Sequence, residues 1–434
     1  MNKKMLSSVL IGTMSLSVLA GCSKPAESST AASLPAAVET VSKPDLTIAK
    51  EMRDVSSDEE DKFRQGYLDF SFEMLRQNLQ QDGADANVMV SPASIMLTLD
   101  MTAAGARGDT LAQMMNLYGG LDDPQGQLSY AAKLLKKING ANGVKLHAAD
   151  SIWVNKDVMP EGLLQDYKDF VNDNFDAQIE QLTFNDDARA TINGWVSDKT
   201  DKMIPSLLDE LRSSDAMLLI NAIVFDGKWA KQYMKSQVQD GAFRSASGEV
   251  QEARMMSSEE DHYLENDKAT GFVKYYQGRQ YAFVVMLPKD KDQNAGDLVS
   301  GFTGESFDEY LASDSEDYVV RTKLPEFSYD WGRSIAGQLK AMGMEVPFDD
   351  GKAQFSGING ADGLAISDVI HKTHIEVNMN GTRAAAATVV EMTKGLEIAD
   401  SREVKEVICD RPFAYAIVDM TDNTPVFIGT VNNI

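Results

Sequence analysis

The sequence predicts an α+β fold built on large, mostly antiparallel sheets. Two patterns carry that reading: apolar residues recur at helical spacing through the first half, and strand-like runs dominate the second. A third observation sets the scale. From Phe63 to Ile434 no second linker and no internal repeat interrupts the periodic hydrophobicity, so residues 63–434 read as one domain.

The N-terminal elements come first. MNKK is positive, MLSSVLIGTMSLSVLA is apolar but too short for a stable span, and LAGC follows. Residues 1–21 therefore read as a signal peptide. Leu19-Ala20-Gly21-Cys22 resembles the lipobox of bacterial lipoproteins. That resemblance implies a lipid on Cys22 and anchoring to a membrane of the bacterial cell envelope, periplasmic or cell-surface. Residues 22–62, rich in Ser, Ala, Pro and acidic residues, read as a flexible tether. With Cys22 acylated, Cys409 is left as a free thiol and no intrachain disulfide is expected.

Within the domain, FRQGYLDFSFEMLRQNL sets Phe63, Tyr67, Phe70 and Leu75 at helical spacing. In NVMVSPASIMLTLDMTAAGARGDT, Ser91 can cap and Pro92 can open a helix that is apolar all round, as in a helix buried in a large core. ATINGWVSDKTDKMI is amphipathic through Ile192, Trp195 and Val196. Strand-like runs follow: AMLLINAIVF, YAFVVMLP, DYVVRTKLPEFSYD, THIEVNM, and finally FAYAIVD and PVFIGTVN around a TDNT turn. Between the last two groups lies NGTRAAAATVVEMTKG, residues 380–395, a run of small side chains whose four alanines favour helix and are depleted in strands.

Charge and motifs exclude several functions. A net charge of −25 argues against a nucleic-acid partner, which needs clustered Lys and Arg. The histidines His147, His262, His371 and His374 show no HExxH spacing, and on a strand His371 and His374 would not share one face, so no metal or cofactor is expected. No GxSxG elbow, P-loop or GxGxxG fingerprint is present. An enzyme, such as a lipoprotein hydrolase, would need a nucleophile–base constellation that the sequence does not offer.

In their order, NVMVSPASIMLTLDMTAAGARGDT, INGWVSDKTDKMI, LLINAIVFDGKW, FVVMLP, LPEFS, LKAMGMEVPF with AQFSGI, HKTHIEVNMNGTRAAAATVV, DRPFAYAI and PVFIGTV resemble the serpins, the family of serine protease inhibitors. The resemblance covers Phe63 to Ile434. It implies the serpin fold with an exposed reactive loop, a monomer, and a suicide-type inhibitor rather than an enzyme. A serine or cysteine protease attacks the loop and forms an acyl-enzyme. The loop then inserts into the main sheet as a new strand before water completes hydrolysis, and deforms the protease. A non-inhibitory serpin acting as a binding or folding protein is the alternative.

The resemblance also assigns residues. Gly381 becomes the hinge pivot, Thr382 an early inward-facing residue, and Ala384, Ala385, Ala386 and Ala387 the small side chains that pass between packed strands. Ser91, Ser94, Asn221 and His371 match the polar cluster beneath the sheet where its strands part, and Trp229 matches the tryptophan where insertion begins. Just before Gly381 many inhibitory members carry two acidic residues; here Met379 and Asn380 cannot form the salt bridge that would hold the hinge outside the sheet. The usual hinge length puts the reactive bond at Gly395-Leu396. One residue earlier, Lys394-Gly395 suits a trypsin-like protease with an anionic pocket, and is preferred. Gly395 ranks next, with Met392 and Leu396 behind.

Overall fold

The computed structural model describes residues 52–119, 123–361, 363–383 and 401–434. Its first helix, α1 (Ser57–Asp82), starts where Ser56 and Glu59 bond reciprocally, and it buries Phe63, Tyr67, Phe70 and Leu75 as their spacing predicts. Helix α2 (Pro92–Ala103) begins at the Ser91 cap, with Pro92 at its first position, and buries every one of its residues. An all-round apolar helix has nowhere to go but the centre. Helices α3 (Gly108–Asn116), α4 (Pro124–Asn139), α5 (Gln165–Phe175) and α6 (Asp186–Lys199) complete the helical half.

Three sheets follow, their strands numbered along the chain. One sheet is ordered β1 (Met89–Val90), β16 (Thr424–Val431), β15 (Phe413–Asp419), β9 (Tyr281–Pro288), β8 (Ala269–Tyr275), β7 (Tyr263–Glu265). A four-stranded sheet runs β14 (Glu403–Ile408), β10 (Tyr318–Pro325), β6 (Val250–Glu260), β5 (Val238–Arg244). The sheet that matters most runs β11 (Phe327–Ser334), β12 (Asp368–Asn378), β13 (Gly381–Thr382), β4 (Met217–Lys228), β2 (Val144–Asn155), β3 (Gln178–Leu182). The run DYVVRTKLPEFSYD, continuous in the sequence, divides after Pro325 into β10 and β11 of two different sheets.

Strand β4 explains the architecture. Leu218, Ile220, Ala222 and Val224 pack in one cluster with Ile192 and Val196 of α6, while Met217, Leu219, Ile223 and Phe225 join the main core. The sheet is therefore covered on both faces, which is why AMLLINAIVF reads as an unbroken apolar run. Asn221 is the polar exception on the core side, fully buried. Burying such a residue costs stability unless its groups are paired, so it marks a site.

Candidate functional site

The main sheet has a seam. β4 and β12 pair in parallel from Leu218–Asp368 to Val224–His374, and no further. Beyond that point β13 lies between them, antiparallel to both: Thr382 opposes Val377 and Gly227, and Gly381 opposes Asn378 and Lys228. Two residues of a strand thus already stand in the gap, and the chain reverses into them at Met379–Asn380. The glycine is required by close approach, because a Cβ at Gly381 would collide with the Gly227 carbonyl. Arg383 then leaves the ladder at φ 49°, its N–H donating to Glu376 O at 2.7 Å.

The turn is held from the β4 side. Trp229 is fully buried; its Nε1–H donates to Asn378 O at 2.9 Å and its backbone N–H to Asn380 O at 3.0 Å. The Tyr233 N–H donates to Met379 O at 3.1 Å. Three successive carbonyls are thereby satisfied at the position where the sequence offers no acidic pair. The indole stacks on Tyr276 with centroids 4.6 Å apart, and the Tyr276 hydroxyl lies 2.6 Å from Thr382 Oγ1 beneath the sheet. Lys274 Nζ lies 4.3 Å from the Tyr233 ring centroid and pairs with Glu260, its ammonium drawn below its ordinary pKa by burial. Tyr276, Tyr233 and Lys274 escaped the sequence reading; each sits in an ordinary core-like run and nothing local distinguishes it.

Lower in the seam the polar cluster comes together. Ser91, Ser94, Asn221 and His371 are all fully buried. The Ser91 N–H donates to His371 Nε2 at 3.0 Å, so that nitrogen is an acceptor and Nδ1 carries the proton toward Asn221 Oδ1. Burial pulls His371 down to about 3, which keeps the ring neutral. The Asn221 amide nitrogen donates to Asp150 Oδ1 at 2.7 Å and to Thr98 Oγ1 at 3.0 Å, and also bonds Ser94 Oγ. Ser91 Oγ donates to Val426 O at 2.8 Å, tying α2 to β16.

Asp150 and Thr98 belong to this network and were missed. Both had a signal. Ser91, Ser94 and Thr98 follow at helical spacing, and Asp150 is a lone charge inside the strand run HAADSIWV. His374 turns to the other face of β12, where it meets Asp330 at 2.7 Å, so the two histidines do not share a site. Among the described residues no group of His, Cys, Asp or Glu is arranged to hold a metal ion. Ala384, Ala385, Ala386, Ala387, Met392, Lys394, Gly395 and Leu396, and the proposed lipid site Cys22, lie outside the described residues.

Comparison with known proteins agrees with this fold. The family model for serpins (serine protease inhibitors) matches residues 65–434. An uncharacterized serpin-like protein of Methanosarcina mazei is 30% identical over 370 residues, covering 83% of this chain and 85% of its own. Leukocyte elastase inhibitor A of Mus musculus is 29% identical over 375 residues, covering 83% of this chain and 97% of its own. The crystal structure of the thermophilic serpin tengpin in its native state superposes with a TM-score of 0.79 at 33% identity, covering 88% of this chain and 96% of that one.

Proposed function

Because the chain belongs to the serpin family, we propose that it is a suicide-type inhibitor that traps a serine or cysteine protease as a covalent acyl-enzyme by inserting its reactive loop into the seam between β4 and β12. The observation that carries this reading is the placement of Gly381 and Thr382, paired with both strands at the point where those strands stop pairing with each other. A strand continued downward from Thr382 would exchange one parallel ladder for two antiparallel ones. Each new backbone hydrogen bond contributes about 1 kcal/mol net, so about ten of them drive insertion by on the order of 10 kcal/mol. Antiparallel pairing is also slightly the more stable per residue. The protein forms bonds to a protease here and turns over nothing.

The preferred reactive bond is Lys394-Gly395, for a trypsin-like serine protease, and the inhibitor is a monomer tethered by the segment before α1 to a bacterial envelope membrane through a lipid on Cys22. Residues 57–62, read in the sequence as tether, belong to α1. The leukocyte elastase inhibitors among its relatives support the inhibitory class.

The test is to mix the protein with a panel of serine and cysteine proteases and look for an SDS-resistant adduct. Mass spectrometry of the released peptide then identifies the bond. A peptide beginning at Gly395 supports Lys394, and one beginning at Leu396 moves the bait to Gly395. Cleavage within the loop by every protease tried, with no adduct, would replace the inhibitor with a non-inhibitory serpin. Incorporation of labelled fatty acid into wild type and not into Cys22→Ser tests the anchor.

A further inference from the structure

The turn between β12 and β13 does not support itself. Asn378 opposes Gly381, so Met379 and Asn380 form a two-residue hairpin loop. Such loops favour turns with positive φ, whose twist matches that of the strands. Neither Met379 nor Asn380 adopts one. Their N–H groups lie outside the ladder of β12 and β13, and each takes a side-chain acceptor instead. The Asn380 N–H donates to Asn378 Oδ1 at 2.9 Å, an acceptor from its own hairpin. The Met379 N–H donates to Glu326 Oε1 at 3.2 Å, and Glu326 comes from elsewhere in the fold.

Glu326 is the joint between two sheets. It follows Pro325, the last residue of β10, and precedes Phe327, the first of β11. Pro325 opposes Met255 of β6, and Glu326 continues that register by one step, its N–H donating to Arg254 O at 2.8 Å. Cross-strand neighbours on one face interact, and Arg254 Nε donates to Glu326 Oε2 at 3.2 Å. One carboxylate oxygen thus meets the arginine and the other the hinge turn. The ion pair is partly exposed, the arginine by more than half, so it adds little stability of its own. What it supplies is aim. A carboxylate accepts a stronger hydrogen bond than a neutral oxygen does, and Arg254 turns this one toward a single backbone N–H. The same geometry accounts for residue 379. An acidic side chain there would set a second carboxylate beside Glu326, and like charges at that range repel. The uncharged Met379 and the charged Glu326 belong together.

We infer that Glu326 is a positioning residue of the hinge: it seats the Met379–Asn380 turn and, through that turn, holds Gly381 and Thr382 in the gap between β4 and β12. The seat fits both forms of the sheet. Extending β13 downward from Thr382 leaves Met379 where it stands. Withdrawing Gly381 and Thr382 undoes the hairpin, and with it the bond to Glu326. Glu326 therefore works against withdrawal and not against insertion, so a loop cut by a protease starts from a strand already in register. That consequence rests on the proposed loop insertion; the seat itself does not.

Three variants of the full chain test this by grading the acceptor. Glu326→Gln keeps the length and a neutral oxygen, Glu326→Met keeps only the length, and Arg254→Met leaves the carboxylate unaimed. The direct reading is hydrogen exchange at the Met379 N–H, corrected for intrinsic rates and compared with Leu97 in the middle of α2. Exchange at Met379 should quicken least in Arg254→Met, more in Glu326→Gln and most in Glu326→Met, there by about fivefold, with Leu97 unchanged. A side chain that only filled space would not rank by acceptor strength. The second reading is adduct against cleaved product, with a protease that the wild type traps. Adduct yield should fall in the same order while the loop is cut at the wild-type rate. Equal Met379 exchange in wild type and Glu326→Met would overturn the inference, as would an adduct yield unmoved by quickened exchange. Ranked exchange with no adduct from the wild type, whatever the protease, would support the seat and refute loop insertion.

Discussion

Tyr276 and Thr382 meet hydroxyl to hydroxyl, 2.6 Å apart, beneath the main sheet at the top of its seam. Both side chains are buried, and the pair fastens Thr382 of β13 to the residue that follows β8 of the neighbouring sheet. Removing one partner leaves the other hydroxyl buried and unpaired, which costs about 1–3 kcal/mol. Tyr276→Phe should therefore loosen β13, slow insertion roughly fivefold or more, and lower the yield of adduct. Thr382→Val in the Tyr276→Phe background should recover part of that loss, because an unpartnered hydroxyl is no longer buried. A double-mutant cycle on insertion rate, read by a fluorophore on the loop, measures the coupling. Coupling indistinguishable from zero would mean the bond does not hold the hinge.

Thr382→Arg acts differently. The threonine is 2% exposed, facing Tyr276 rather than solvent. Thr382 already stands in the sheet, and an unpaired buried charge costs several kcal/mol. The arginine should therefore withdraw residue 382 from the seam in the closed form, and it has to be buried again on insertion. Each 1.4 kcal/mol added to the barrier slows insertion about tenfold. The protease should still cut, but hydrolysis should outrun insertion and the inhibitor should become a substrate. Gel densitometry of adduct against cleaved product decides it; undiminished adduct would sink the insertion mechanism.

Arg383 offers a test of the opposite kind. It leaves the sheet at φ 49°, a left-handed conformation that costs a non-glycine residue about 1–2 kcal/mol. Insertion would return it to extended backbone and release that strain. Arg383→Gly removes the strain from the closed form and, since glycine is a poor strand residue, adds about 0.5–1 kcal/mol against the inserted one. Both effects favour the closed form, so insertion should slow by roughly tenfold with the loop bond still cut at the wild-type rate. Faster insertion in Arg383→Gly would show that the left-handed turn is not a store of strain.

Much of this fold is legible in the sequence, and the reasons are physical. The buried helix α2 shows itself because its cap, its proline and its all-round apolarity agree. β4 shows itself because a strand covered on both faces has no polar alternation. The division of DYVVRTKLPEFSYD between two sheets was not legible, since strand propensity continues through Pro325 while the pairing partners change. The site divides in the same way. Gly381, Thr382, Ser91, Ser94, Asn221 and His371 were singled out through a family resemblance, whereas the partners of Asp150, Thr98 and Tyr276 depend on which helices and strands lie side by side. The lone charge of Asp150 in its strand run is visible in the sequence, but its role is readable only once its three donors are in place.

The last prediction concerns pH and uses two of those residues together. Burial holds His371 down at about 3, against about 6.5 for a free imidazole. Between those values the folded protein binds fewer protons, so this contribution to stability is fully present above pH about 6.5 and is lost as pH falls toward 3. Asp150 is the reverse. Burial pushes it up to about 7, against about 3.9 for a free carboxyl. Its contribution is fully present below pH about 3.9 and is lost as pH rises through 7. The two slopes are opposite, each at most about 1.4 kcal/mol per pH unit, so between pH 4 and 6.5 they largely cancel. Removing one exposes the other. Relative to wild type, Asp150→Asn should gain on the order of 3 kcal/mol between pH 4 and pH 6.5, and His371→Gln should lose about as much over the same interval. Urea unfolding at half-unit pH steps measures both differences, and titrations elsewhere in the chain drop out of them. If Asp150→Asn tracked the wild type across this range, the carboxyl would not be titrating from a buried site, and the chain of bonds from Ser91 to Asp150 would have to close some other way.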